Sequence, residues 1–284
     1  MKGRAKNVII LANKGEVRKH KVKLNAKRLQ KAAQGIKVHS FDTVDSTNKI
    51  AKELAANGCD EGVVVCALKQ TAGKGRLGRT FLSERGGVYF SLVLRPKKDI
   101  CDTLFITVSA AVAVARAIEY VSGEKCKIKW VNDVYIKGKK VCGILTEGGF
   151  CTNGTLDYAI LGVGVNLFEP KNGFPSNLPL ANSVFGKDSK IVFKKRKKER
   201  LIAEFIKVFF EFYDNLSQKE FIKEYQQRSF LSGLEITYTK DSNTYKGTVA
   251  GIDDDANLVV KIGEQDEKLS HGEIQIIGME QPPI

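Results

Sequence analysis

An apolar, alanine-rich segment occupies residues 105–121, near the middle of the 284-residue chain. It falls short of the roughly 18 residues that a membrane-spanning helix needs, and Ser109, Arg116 and Glu119 interrupt it. The segment therefore predicts a buried helix, Thr103–Ser122. A helix that is apolar on almost every side must be covered by other elements, so we expect a globular domain with a substantial core and no membrane.

Strand and helix patterns surround this segment in mixed order. Alternating or continuous apolar runs predict strands at 37–42, 62–68, 87–94, 126–131, 141–147 and 157–167. Helical spacing predicts helices at 26–33, at 47–56 with Ser46 as its N-cap, and at 198–216 and 219–229. Hairpins mixed with helices favour an α+β fold, a central mixed or antiparallel sheet flanked by helices, over a doubly wound parallel sheet.

The last 50 residues have a different pattern. Short strands at 236–239, 245–252, 258–262 and 274–277 are separated by turns, which is typical of a small β-barrel. We therefore predict three parts: a basic N-terminal extension at 1–35, a catalytic domain at 36–230, and a barrel at 231–284.

The charge and the cysteine content limit the classes of partner and the compartment that we expect for this protein. The chain has a net charge of +14, and residues 1–35 hold eleven Lys or Arg against one acid. Such a basic segment has two interpretations: it attracts nucleic acid, or it is a tail exposed to solvent. It is shorter than the roughly 60 residues of a winged helix-turn-helix domain, so we do not expect DNA binding. Six cysteines without a C-x-x-C pair, and no secretory signal, predict free thiols in the cytoplasm and no structural metal.

A glycine-rich basic loop covers residues 70–79, reading QTAGKGRLGR. Its three glycines allow a close backbone approach and an anion-binding nest of N–H groups, and Lys74, Arg76 and Arg79 add positive charge. The spacing matches neither a P-loop nor a dinucleotide-binding loop. The loop suits a carboxylate or a phosphate, or it is a basic surface loop.

Two further motifs are KWVND (129–133), followed by KKVCGIL (139–145), and GVGVN (162–166). Lys140 begins an apolar strand and needs an anionic partner or a route to water. Asn132 and Asp133 can cap a turn, and Trp130 is expected in the core. Glycines inside a strand indicate a flat ligand against it, a bulge, or tight packing.

Together and in this order, these motifs closely resemble the biotin protein ligase family. FDTVDSTN (41–48) and HGEI (271–274) add to the resemblance, which runs from about residue 38 to 277. It implies a catalytic domain of the class II aminoacyl-tRNA synthetase-like type with a C-terminal SH3-like barrel. It also implies that biotin and ATP with Mg²⁺ form biotinyl-5′-AMP, which then modifies a lysine of a biotin carboxyl carrier protein or another acceptor domain.

The resemblance also implies residue roles. Lys140 and Arg76 would be catalytic, contacting the biotin carboxylate and the α-phosphate, and no residue is assigned to a metal. The biotin site would comprise Ser46, Thr47, Gln70, Gly73, Lys74, Arg76, Tyr89, Asp133, Lys140, Gly162 and Gly164. The ATP site would comprise Arg76, Arg79, Phe81, Lys129, Asn132, Lys140 and Asn166, with Phe81 covering the adenine.

Two positions depart from the family pattern. Lys74 replaces an arginine in the loop, which keeps the charge but loses the planar fork, so the retention of the adenylate is in question. Val131 replaces a proline in KWVND. A monomer or weak homodimer is expected. The alternative functions are a bifunctional ligase and DNA-binding repressor, a lipoate or octanoate transferase of the same fold, and a non-catalytic biotin-binding module.

Overall fold

The computed structural model describes residues 24–32, 36–96, 103–150, 156–186, 196–240 and 243–278. Most of the basic extension and two of the six cysteines, Cys101 and Cys151, lie outside the described residues. The predicted domain limits stay predictions.

Helices in the described part of the chain are α1 (Ala26–Ala32), α2 (Thr47–Ala56), α3 (Thr103–Ser122), α4 (Lys197–Tyr213) and α5 (Phe221–Arg228). Short 3₁₀ turns are Arg76–Gly78 and Leu216–Gln218. The strands are β1 (Val38–Phe41), β2 (Val64–Ala67), β3 (Val88–Leu94), β4 (Lys127–Lys129), β5 (Asp133–Ile136), β6 (Lys139–Phe150), β7 (Leu156–Val165), β8 (Glu235–Lys240), β9 (Asn243–Ile252), β10 (Leu258–Ile262), β11 (Gln265–Leu269) and β12 (Ile274–Ile276).

The first seven strands form one sheet in the order β1-β2-β3-β7-β6-β5-β4. β1 and β2 run parallel, and every other neighbouring pair is antiparallel. The predicted mixed α+β sheet is confirmed. Ser46 caps α2 by accepting a hydrogen bond from the Lys49 backbone N–H at 3.4 Å, also as predicted.

The sheet is covered on both faces because its strands alternate. In β2, Val64 and Cys66 belong to the large core that includes α3, α4 and α5, while Val65 belongs to a smaller core with Ala51 and Ala55 of α2. Successive side chains of a strand point to opposite faces, so α2 lies on one side of the sheet and the other helices on the other side.

α3 confirms the helix predicted from the apolar segment, with the bounds expected. Among the described helices it alone has the length and hydropathy to cross a bilayer, and 72% of its most apolar stretch is buried inside the protein. Its buried residues pack against α4, α5 and the sheet. That is the position expected of a core helix.

A second, five-stranded antiparallel sheet has the order β11-β10-β9-β8-β12, consistent with the predicted SH3-like barrel. Its edge strand β11, QDEKL, was not predicted, because four of its five residues are polar and only Leu269 is buried. The strand predicted at 126–131 is also shorter than expected. It ends at Lys129, and the chain turns through a cis Trp130–Val131 peptide into β5.

Candidate active site

A cleft of about 240 Å³ opens over β6 and β7, between the N-terminus of α2 and the glycine-rich loop. Twelve of the residues predicted for the site line it: Ser46, Thr47, Gln70, Lys74, Arg76, Arg79, Phe81, Asn132, Asp133, Lys140, Gly162 and Gly164.

The N-terminus of α2 forms a buried polar end of the cleft. The Gln70 Oε1 atom accepts hydrogen bonds from the backbone N–H of Thr47 at 2.8 Å and from its hydroxyl at 3.0 Å. Gln70 Nε2 in turn donates to Ser83 Oγ at 2.9 Å. Ser46 and Thr47 are both buried. Since these groups are held by one another, this end of the cleft is preorganised for a polar ligand.

Asn48 is a site residue that sequence analysis missed, although it lies inside the FDTVDSTN motif. It is 6% exposed and lines the cleft, donating from Nδ2 to Glu147 Oε2 at 2.6 Å. A Cβ atom on Gly162 would lie 2.1 Å from Asn48 Oδ1. The glycine predicted to admit a ligand therefore makes room for Asn48, which is the tight-packing alternative.

Phe81 lies against a pair of glycines in the middle of the cleft. Gly143 of β6 is paired with Gly164 of β7, and a Cβ on either would lie within 3 Å of the Phe81 ring. The ring also meets Tyr89 edge-on, with 6.4 Å between centroids. These glycines accommodate a flat ring, and in this structure the ring is that of Phe81 itself.

Positive charge gathers at the other end of the cleft. Lys140 Nζ forms a 2.7 Å ion pair with Asp133 Oδ2, which is the anionic partner that its position required. Asp133 Oδ1 is buried and has no hydrogen-bond partner. Arg76 donates to Asn132 Oδ1 at 3.3 Å, and burial lowers the pKa of its guanidinium. Cations in such a desolvated setting act strongly on an anionic ligand.

The turn before β12 contacts the loop and the KWVND motif. Arg76 donates to the Gly272 carbonyl at 3.0 Å, and Arg79 forms an ion pair with Glu273. Lys129 donates to the Ile274 carbonyl at 3.1 Å, and burial lowers the pKa of its ammonium group. The second sheet thus helps to shape the cleft, and Glu273 lines it although its role was not predicted.

Four predicted site residues do not line the cleft. Gly73 packs beneath it, where a Cβ would clash with Ser83 and with the Phe81 carbonyl. Tyr89 is 2% exposed, donates to the Glu84 carbonyl at 2.7 Å and supports Phe81.

Lys129 and Asn166 are the other two residues outside the lining. Lys129 points to the second sheet. The Asn166 backbone joins β7 to Val141 and Val184, and its side chain is buried. As the structure stands, Gly73, Tyr89, Lys129 and Asn166 support the walls of the cleft.

The fold and the cleft define a protein ligase of the biotin and lipoate class. The family described as "Biotin/lipoate A/B protein ligase family" matches residues 40–166, which span α2, the loop and β2 to β7. The bifunctional ligase/repressor BirA of Bacillus subtilis is 35% identical over 240 residues, which cover 83% of this chain and 72% of that protein. The chain belongs to the biotin protein ligase family.

Other relatives agree with this assignment. A biotin–[acetyl-CoA-carboxylase] ligase of Paracoccus denitrificans is 38% identical over 125 residues, covering 43% of this chain and 51% of that one. Among solved structures, the biotin protein ligase from Aquifex aeolicus in complex with biotin and ATP superposes with a TM-score of 0.67 and 25% identity. The matched region covers 84% of this chain and 98% of the Aquifex aeolicus chain.

Proposed function

We propose that the protein is an ATP-dependent biotin protein ligase. In the first step, a biotin carboxylate oxygen attacks the α-phosphorus of ATP, the bond to the leaving pyrophosphate breaks, and biotinyl-5′-AMP forms. In the second step, a lysine amine of an acceptor protein attacks the biotinyl carbonyl, and AMP leaves. The observation that supports this most strongly is that one cleft joins a buried polar end at Thr47 and Gln70 to a cationic end at Arg76 and Lys140.

The cationic end suits the first step. Bringing a carboxylate to a phosphate places two anions together, so the main requirement is preorganised positive charge. Lys140, held by Asp133, and Arg76, held by Asn132 and Gly272, supply it in fixed positions. The role of each stays a proposal.

Mg²⁺ would accompany the nucleotide. No group of three His, Cys, Asp or Glu side chains suited to a metal occurs among the described residues. The ion is expected to be held chiefly by the triphosphate, whose charge it would help to neutralise.

Asp133 suits the second step. The attacking lysine must be neutral, so its ammonium group has to release a proton. Asp133 lines the cleft beside Lys140, and we assign its carboxylate to receive this proton or to orient the amine.

Purified protein incubated with biotin, ATP, Mg²⁺ and a biotin carboxyl carrier domain tests the proposal. We expect a mass increase of one biotinyl group on the acceptor, with AMP and pyrophosphate released in equal amounts. Lipoate in a parallel reaction tests transfer of the other acyl group of this class. Transfer of lipoate and not of biotin would overturn the assignment.

Repressor activity is a second candidate, since the Bacillus subtilis relative is named a bifunctional ligase/repressor. The basic extension at 1–35 is the part of this chain that would take part. A gel shift with a biotin-operon promoter, with and without biotinyl-AMP, decides between a ligase alone and a ligase that also binds DNA. We further propose a monomer or weak homodimer in the cytoplasm, where Cys59, Cys66, Cys126 and Cys142 stay free thiols.

A further inference from the structure

The turn between β4 and β5 carries Asn132 into the cleft and is tied to two distant parts of the fold. Trp130, at the start of the turn, donates from Nε1 to the Ala256 carbonyl at 2.9 Å, between β9 and β10 of the second sheet. The Val131 carbonyl accepts from the Tyr225 hydroxyl of α5 at 3.0 Å. Both Trp130 and Val131 are buried. The backbone just before Asn132 is therefore fixed by contacts with segments outside the motifs around the cleft.

Tyr225 is wholly buried on α5, close to the cationic end of the cleft. Burial raises the pKa of its hydroxyl well above the ordinary value, so the group keeps its proton and acts as a donor to the Val131 carbonyl. The charges of Arg76 and Asp133 both act on this hydroxyl, although Tyr225 is outside the lining of the cleft. A permanent donor therefore lies beside the charged groups of the site.

The bond from Tyr225 fixes the peptide that precedes Asn132. The Val131 carbonyl and the Asn132 N–H belong to the same planar group, so holding the carbonyl sets the direction in which the Asn132 side chain leaves the backbone. On the other side, the Asn132 carbonyl accepts from the Ile144 N–H at 3.0 Å, and Asn132 Nδ2 donates to the Ile144 carbonyl at 2.7 Å. With Nδ2 used in this way, Oδ1 faces Arg76 and accepts its guanidinium N–H at 3.3 Å.

We propose that Tyr225 is a positioning residue for adenylate formation, which holds Asn132 in the orientation that places the Arg76 guanidinium in the cleft. This inference rests on the proposed function, because the position of Arg76 matters when a carboxylate attacks a phosphate. Tyr225 acts through Asn132 and contacts neither substrate. The helix that leads into the second sheet thereby contributes to the placement of a cation that belongs to the glycine-rich loop.

Tyr225→Phe tests the proposal, because it removes the hydroxyl and keeps the buried ring. We expect the single-turnover rate of biotinyl-AMP formation, at saturating biotin and ATP, to fall about five- to tenfold, as for the loss of one buried hydrogen bond. Tyr213→Phe is the matched control. Tyr213 is also buried, and its hydroxyl donates to Glu61 Oε1 at 2.8 Å, away from the residues that line the cleft. Its rate should stay within about twofold of the wild type.

A double variant separates positioning through Asn132 from a general loosening of the protein. Asn132→Ala removes the side chain through which Tyr225 acts, so Y225F added to N132A should slow adenylate formation by less than about twofold further. A merely structural role of Tyr225 would instead give the same five- to tenfold factor, approximately, in both backgrounds, since independent effects add in free energy. That additive result would overturn the proposal. Rates are compared below the temperature at which any of the variants begins to unfold.

The outcomes also distinguish this inference from the proposed function. Wild-type protein that forms biotinyl-AMP, together with Y225F at the same rate, would overturn the role of Tyr225 and leave the ligase assignment in place. An equal loss in Y213F and Y225F would overturn it too, because any buried tyrosine hydroxyl would then have the same effect. If the wild-type protein forms no biotinyl-AMP, the proposed function fails, and this inference fails with it.

Discussion

Arg79, at the end of the glycine-rich loop, forms an ion pair with Glu273 in the turn before β12, 194 residues further along the chain. The neighbouring Gly272 carbonyl accepts from Arg76 at 3.0 Å. Two adjacent residues of the turn before β12 therefore hold two cations of the loop. The loop conformation depends on this contact as well as on its own glycines.

Glu273→Gln should release Arg79 and leave the fold intact. An exposed ion pair contributes at most about 1 kcal/mol, so the melting temperature should change little. Because a looser loop covers its ligand less well, biotinyl-AMP should dissociate about three- to fivefold faster in a rapid-dilution assay. Glu264→Gln, at an exposed position in the turn between β10 and β11, is the control. An unchanged dissociation rate would mean that the ion pair does not hold the loop.

Lys140→Ala should reduce adenylate formation by about 10²–10³-fold, the usual effect of losing one preorganised charge donor. The lysine is placed by Asp133 in the cleft, whereas Lys139 donates to the Pro179 carbonyl outside it. Lys139→Ala is therefore the matched control and should keep near-normal activity. Single-turnover formation of biotinyl-AMP is the measurement. Wild-type rates in Lys140→Ala would remove this residue from the mechanism.

Lys74→Arg should slow the spontaneous release of biotinyl-AMP. Lys74 lines the cleft, and a guanidinium there can bind a carboxylate or phosphate through two parallel hydrogen bonds, unlike an ammonium group. We expect release to slow by about threefold or more, measured by filter binding of labelled adenylate. Lys137→Arg, on the turn between β5 and β6, is the control. Equal release rates would show that the departure at position 74 is neutral.

Gly164→Ala should disturb the cleft through Phe81. The added Cβ would lie 2.6 Å from the Phe81 ring, closer than side chains pack, so the ring must move. We expect a loss of about 1–3 kcal/mol in the free energy of unfolding, measured in urea. In Gly251→Ala, the new Cβ would lie 3.8 Å from the Ser232 hydroxyl. This variant, which is also in a strand, should therefore lose less free energy of unfolding. Equal costs would contradict the packing argument.

Lys198 should make stability depend on pH in the alkaline range. Burial lowers the pKa of its ammonium group from 10.5 to about 8, while its Nζ donates to the Gly87 carbonyl at 2.6 Å. Between these two pKa values the unfolded chain binds the extra proton, so the free energy of unfolding should rise with pH from about 8 to 10.5.

Lys198→Met removes this titration. The difference in the free energy of unfolding, wild type minus variant, should increase with pH in that window. Its slope is at most about 1.4 kcal/mol per pH unit, the limit for one proton. Lys207→Met, at an exposed position on the same helix, is the control. Parallel stability curves for wild type and Lys198→Met would contradict the assignment of the shift to this lysine.

Much of the architecture was predictable because it depends on local periodicity. Helix α3 and the α2 cap followed from apolar spacing and Ser46, and the order of strands and helices indicated an α+β sheet. Strand β11 was missed because an edge strand that is polar on both faces has no apolar period to detect. The motifs, taken together, were enough to predict the family, which the relatives confirmed.

The sequence by itself determined the elements, the family and most of the residues around the cleft. Only the tertiary structure decided what those residues touch. It placed Glu147 against Asn48, Phe81 over Gly143 and Gly164, and Glu273 on Arg79. The physical reason is that apolar periodicity depends on which side of one element is buried, whereas these contacts depend on strand register and side-chain direction between segments far apart in the chain.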